Sequence, residues 1–158
     1  MACSLTTPRH GISESVIFGS PGYLVSRVES LISNTVTRRT MSELGVTDQQ
    51  GRILLLVATG KCLTASEVAR ESGVHGSAVT RLIRRLEDRG LLVRVRSSQD
   101  RRVIELALSP QGRLIAECFP VVLDAALDRL LAGLTQEEIG LFKGMLGRVI
   151  VNGDLTEV

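Results

Sequence analysis

A single glycine separates two hydrophobic periods in this chain, and that switch constrains the fold more than any other feature. Ahead of Gly90, the residues Val79, Leu82, Ile83 and Leu86 stand at i, i+3, i+4 and i+7, the apolar stripe of a helix running from Ser77 to Arg89. Beyond Gly90 the period falls to two. Val93 and Val95 alternate with Arg94 and Arg96, and Ile104, Leu106 and Leu108 alternate with Glu105 and Ala107. A polar run, Ser97-Ser98-Gln99-Asp100-Arg101-Arg102, lies between them. Leu91–Arg96 and Val103–Leu108 therefore read as a β-hairpin, with Gly90 as the C-terminal stop of the helix before it.

From Gly22 on, the other periodic segments of the chain read as helices. Leu24, Val28, Leu31, Ile32 and Val36 recur at three- and four-residue spacing from Gly22 to about Glu43, and Gly45 ends that helix. Thr47 with Gln50 forms a capping box that opens a second helix carrying Ile53, Leu54, Leu56 and Val57 to Thr59-Gly60. Thr64 with Glu67 repeats the box, starting a short helix that stops at Gly73, and Gly73-Val74-His75-Gly76 forms a four-residue turn. Ser109-Pro110 supplies an N-cap and a first-turn proline for a long helix to about Ala132. Pro120, inside it, is expected to kink it or break it locally. Thr135 with Glu138 caps a last helix through Ile139, Phe142, Leu146, Val149 and Ile150 to Asn152-Gly153. The expected fold is mainly α with a small β-hairpin wing, in the order α-α-α-α-β-β-α-α. Residues 1–20, rich in Pro, Gly and Ser without a period, read as an arm. With 158 residues, 44% of them apolar, the chain can bury a core as one domain or two small interlocked ones. No apolar run reaches the length of a membrane span, so a soluble, cytoplasmic protein without a membrane partner is expected.

The formal net charge of +2 conceals an uneven distribution. Residues 74–102 hold Arg81, Arg84, Arg85, Arg89, Arg94, Arg96, Arg101 and Arg102 against three acids, a local +5 that leaves −3 for the remainder. A helix that turns Val79, Leu82, Ile83 and Leu86 inward presents Ser77, Thr80, Arg81, Arg84 and Arg85 outward. Short hydroxyl side chains followed by arginines suit a helix in a major groove, where Arg grips guanine bidentately and Ser or Thr reaches bases or phosphates. An Arg-rich face alone is ordinarily solvated surface. Here a short helix and tight turn precede it and an arginine-tipped hairpin follows, which together make a helix-turn-helix with a wing.

The segment LTASEVARESGVHGSAVTRLIRRLEDRGLLVRVRSSQDRRVIELALSPQG, residues 63–112, resembles the winged helix-turn-helix of the MarR (multiple antibiotic resistance regulator) family. Most specific are Gly90-Leu91-Leu92-Val93-Arg94, then Asp100-Arg101-Arg102, then Leu108-Ser109-Pro110-Gln111-Gly112. The flanking helices match in order and length. The resemblance implies a homodimer intertwined through helices at 21–46 and 109–158, with residues 47–108 binding a pseudo-palindromic operator in duplex DNA. It places Ser77, Ala78, Thr80, Arg81 and Arg84 in the major groove, with Arg85 on the same face and Thr64 at the start of the motif. Arg102 would enter the minor groove, held in place by Asp100; Arg94, Arg96 and Arg101 would contact phosphates. The wing tip Ser97-Ser98-Gln99 departs from the family in lacking proline and acids.

Many members of this family release DNA when a small aromatic carboxylate, phenol or other amphiphile enters a crevice between the dimer helices and the winged domain. The resemblance therefore implies a ligand-responsive regulator, a repressor in its simplest form. Tyr23 and Arg27, four residues apart on one helix face, could stack on a ring and bind its carboxylate; they could equally pack and ion-pair at the dimer seam. Arg52 and His75 are further candidates, although His75 also suits the turn or a phosphate contact. A redox-sensing regulator of the same fold is an alternative, but Cys3 lies in the arm, Cys62 reads as a loop residue and Cys118, beside Phe119, as a small core residue. A winged-helix module for protein contact is another. No nucleophile elbow, phosphate loop or zinc motif is present, so no catalytic residue, metal or cofactor is expected.

Overall fold

The computed structural model describes residues 18–154 apart from residue 73; most of the expected arm, including Cys3, lies outside the described residues. Among the described residues, the main elements follow in the order α1 (Pro21–Leu44), α2 (Asp48–Ala58), α3 (Ala65–Ser72), α4 (Gly76–Asp88), β1 (Leu92–Arg96), β2 (Ile104–Leu108), α5 (Pro110–Leu130) and α6 (Gln136–Asp154). The expected class, mainly α with a hairpin wing, is the one observed.

Local signals set these boundaries. Gly45 ends α1 with φ 67°, a left-handed turn that glycine adopts without penalty. At the next helix the Thr47 hydroxyl accepts from the Gln50 backbone N–H while the Gln50 side chain accepts from the Thr47 N–H, at 3.3 and 3.1 Å. Glu67 accepts from the N–H groups of both Leu63 and Thr64, Ser109 caps α5 through the Gly112 N–H, and Thr135 and Glu138 cap α6 reciprocally. Each oxygen satisfies an N–H that the first helical turn leaves without a partner. The long helix runs unbroken through Pro120. Proline removes one hydrogen bond, and Phe119, Val122 and Ala126, buried around it, pack the helix down on both sides of the gap.

The core of the winged unit is built from Val46, Ile53, Leu54, Val68, Val79, Ile83, Leu86, Leu91, Leu92 and Leu106. α5 crosses it and packs on α1 and α2. Two glycines let backbones approach there. A Cβ on Gly51 would lie 2.0 Å from the fully buried ring of Phe119, and one on Gly112 would lie 2.0 Å from the Leu91 carbonyl oxygen. That carbonyl also accepts from the Ser109 N–H, and the Leu106 N–H donates to Leu63, tying the wing to the loop before α3.

The hairpin pairs Leu92 with Leu108, Arg94 with Leu106 and Arg96 with Ile104. Residues opposite one another share a face, so the face turned to the core carries Leu92 and Leu106 together with the arginines. Val93 and Val95 occupy the other face and stay exposed. The period-two reading therefore holds, and Leu92 and Leu106 are the side chains that seat the inner face on the core, with Arg94 paired to Glu87 of α4 at its rim. One expectation is corrected by helix phase. Cys118, expected in the core, is exposed, since it stands about 100° round α5 from the buried Phe119. Cys62 lies in the loop between α2 and α3 as expected and is buried there, and burial pushes its thiol pKa up. Ser97 is likewise buried rather than presented at the tip, its N–H donating to the Val103 carbonyl and its hydroxyl accepting from Gln99.

Candidate nucleic-acid interface and ligand crevice

α4 owes its orientation to its sequence: Val79, Ile83 and Leu86 are buried and Leu82 half-buried, which leaves Ser77, Thr80, Arg81, Arg84 and Arg85 on the exposed side and Ala78 at its edge. His75 is the N-cap and its ring lies 3.2 Å from the Ser77 hydroxyl, at the helix end that would meet a groove. Thr80 back-bonds to the Gly76 carbonyl, and the Arg81 Nε donates to the Ser77 carbonyl. Among the described residues, no carboxylate pairs with Arg81, Arg84 or Arg85, so this face keeps its full charge. Thr64 is occupied with the α3 cap.

The wing differs from expectation in two places. Arg94 donates to both Glu87 carboxylate oxygens, at 2.7 and 3.3 Å, and so is anchored on α4. Asp100 accepts from the Arg102 backbone N–H at 2.9 Å rather than from its guanidinium, fixing the turn and leaving the side chain of Arg102 exposed. Arg96 and Arg101 are exposed beside it. Arg89, the remaining arginine of the basic run, reaches back to the end of α1, its Nη2 standing 3.5 Å from where a Cβ on Gly45 would be. The positive surface is therefore the outer face of α4 together with the wing turn.

A cavity of about 800 Å³ opens between the first half of α1, α2, the α3–α4 corner and α6. Leu24, Val28, Ile32, Phe142, Leu146 and Ile150 give it aliphatic walls with one aromatic ring. Of the four sequence candidates for an effector site, Arg52 alone lines it. Tyr23 faces Phe18 instead, ring edge to face at 5.1 Å, and Arg27 and His75 are exposed outside the lining. The sequence reading missed Asp48 and the α6 side chains. Asp48 is buried and accepts from the Arg52 Nε at 2.8 Å, across one helical turn. Burial raises its pKa above the ordinary 3.8; Arg52 pulls it back and Glu29, across on α1, pushes it further up. An Asp-to-Arg pair at i, i+4 is visible in a sequence, but its position on a cavity wall is not.

A helix-turn-helix with a β wing and a basic outer face defines the winged-helix nucleic-acid-binding class. A profile of the MarR family matches residues 44–103. The HTH-type transcriptional repressor Rv2887 of Mycobacterium tuberculosis is 32% identical over 128 residues, 81% of this chain and 91% of that protein. Two crystal structures of a MarR family protein Rv2887 superpose on this chain. One is a complex with salicylic acid (32% identity, TM-score 0.67, 82% of this chain and 96% of that one). The other is a complex with DNA (30% identity, TM-score 0.65, 82% and 97%). The chain belongs to the MarR family. Among its described residues no helix is long and apolar enough to cross a membrane.

Proposed function

We propose that the protein is a ligand-responsive transcriptional repressor that binds a pseudo-palindromic operator in duplex DNA as a homodimer and is released by a small aromatic acid or phenol. The observation that carries the DNA reading is the face of α4, on which Ser77, Thr80, Arg81, Arg84 and Arg85 stand exposed, with no carboxylate partner to the arginines among the described residues. The DNA complex of the 30% identical relative supports it. In this reading residues 47–108 bind DNA and residues 21–46 and 109–158 dimerise. The exposed Leu141, Val149 and Ile150 of α6 support the second role. Occupancy of the operator blocks polymerase, and a ligand in the cavity favours a dimer geometry whose recognition helices miss the one-turn spacing of about 34–36 Å. The salicylic acid complex of the 32% identical relative supports the ligand class, and Arg52 takes the anchoring role first considered for Tyr23 and Arg27.

Fluorescence anisotropy on the promoter beside the protein's own gene tests the DNA reading. Replacing Arg81 or Arg84 by Ala is expected to cost about 1–3 kcal/mol and to relax sequence preference, whereas Arg96→Ala weakens all sequences alike and flattens the salt dependence. Equal losses on operator and random DNA for the first pair would overturn their base-reading role. Salicylate is expected to raise the melting temperature and release the operator.

A further inference from the structure

The cavity contains a charge conflict. Among the described residues Arg52 is its one basic wall residue, and Glu29, Asp48 and Glu71 also line it. Glu71 is paired with Lys61 outside, and α4 and α6 contribute only apolar side chains. Arg52 is thus the group that can receive an anionic ligand, yet the buried carboxylate of Asp48 already holds its Nε at 2.8 Å, while Glu29 faces the same pair from α1. A ligand carboxylate must either displace Asp48 or sit beside it against two negative charges. A neutral ligand of the same shape meets neither cost.

Resting on the reading of this cavity as the effector site, we propose that Asp48 is a specificity-determining residue that competes with anionic effectors for Arg52 and so sets the preference of the site between carboxylate and neutral aromatic ligands. Protonation of Asp48 would lift the penalty. Because burial already raises its pKa, anionic ligands gain affinity as the pH is lowered through that titration.

Calorimetric titration of the full-length protein with salicylate and its neutral isostere salicylamide, at several pH values, tests this. Asp48→Asn is expected to bind salicylate about tenfold more tightly, the size of one charge-assisted contact, to leave salicylamide unchanged, and to flatten the pH dependence. Glu29→Gln, on an exposed position that folding tolerates, should give a smaller gain in the same direction. Equal changes for both ligands, or weaker salicylate binding by both variants, would overturn the proposal. If the wild type binds neither compound but Asp48→Asn gains salicylate, the competition stands and the aromatic-acid reading of the natural effector falls. If no variant binds salicylate, both fall.

Discussion

The winged unit and the outer helices solve the problem of apolar surface in opposite ways. Around α2–α5 and the hairpin, one chain supplies both sides of every contact, and Leu54, Ile83, Leu86 and Phe119 are completely enclosed. In α1 only Val36 and Thr40, both in its second half, are buried, and none of the described side chains of α6 is. Leu24, Val25, Val28 and Leu31 on one, and Leu141, Met145, Val149 and Ile150 on the other, are left facing outward or into the cavity. The first region is folded by its own sequence. The second carries the helical pattern of a core without the matching surface, so its stability is expected to depend on what else docks there.

Substitutions can break this comparison, and the largest effect belongs to the enclosed region. Phe119→Ala should cost about 3–5 kcal/mol in denaturant unfolding at any protein concentration, since it empties the space between α2 and α5. Gly112→Ala should cost about 1–3 kcal/mol, because the new methyl runs into the Leu91 carbonyl rather than into a side chain that can turn away. Thr47→Ala, which removes one half of a capping box, should cost about 1 kcal/mol. In the outer region Leu141→Ala should stay within about 0.5 kcal/mol in dilute protein. Val149→Glu should instead make the melting temperature independent of protein concentration, which in the wild type should rise with concentration. A costly Leu141→Ala in dilute protein would mean that α6 is held within its own chain, and the contrast would be lost.

Titration gives the subtlest test. Glu67 and Glu138 accept backbone N–H bonds at their caps, which lowers both pKa values below the ordinary 4.5. Their contribution is complete above that value and disappears as the pH falls through the lowered folded values. Asp48 has the opposite sign: its raised pKa means that acidification favours the folded state until the group is protonated there and in the unfolded chain alike. Protection factors at the start of α3 and α6 should therefore fall as the pH is lowered, while the region around Asp48 gains protection.

Contacts three or four residues apart were legible in the sequence, and contacts made by tertiary approach were not. The three Thr-led capping boxes, Gly45, Gly90 and the apolar face of α4 depend on local spacing and stand where the sequence put them. The hairpin was readable by its period, but which face is buried depends on Leu92 and Leu106 meeting the core, a tertiary contact. Cys118 was misplaced because adjacency to Phe119 in sequence is not adjacency on a helix face. The cavity was least legible, since residues as far apart in the chain as Leu24 and Ile150 line it together. Asp100 shows a middle case, in which the right residue pair makes a backbone bond rather than the expected side-chain one.

The Leu91 carbonyl, covered by Gly112 and bonded by Ser109, has a mechanical consequence. It rivets the first turn of α5 to the root of the wing, while Phe119 seated on Gly51 places a pivot near the middle of that helix. With 21 residues, α5 is about 30 Å long. It is a lever with the wing fixed to its short arm, so a tilt of a few degrees imposed at Leu130 arrives at the hairpin as a displacement on the order of an ångström.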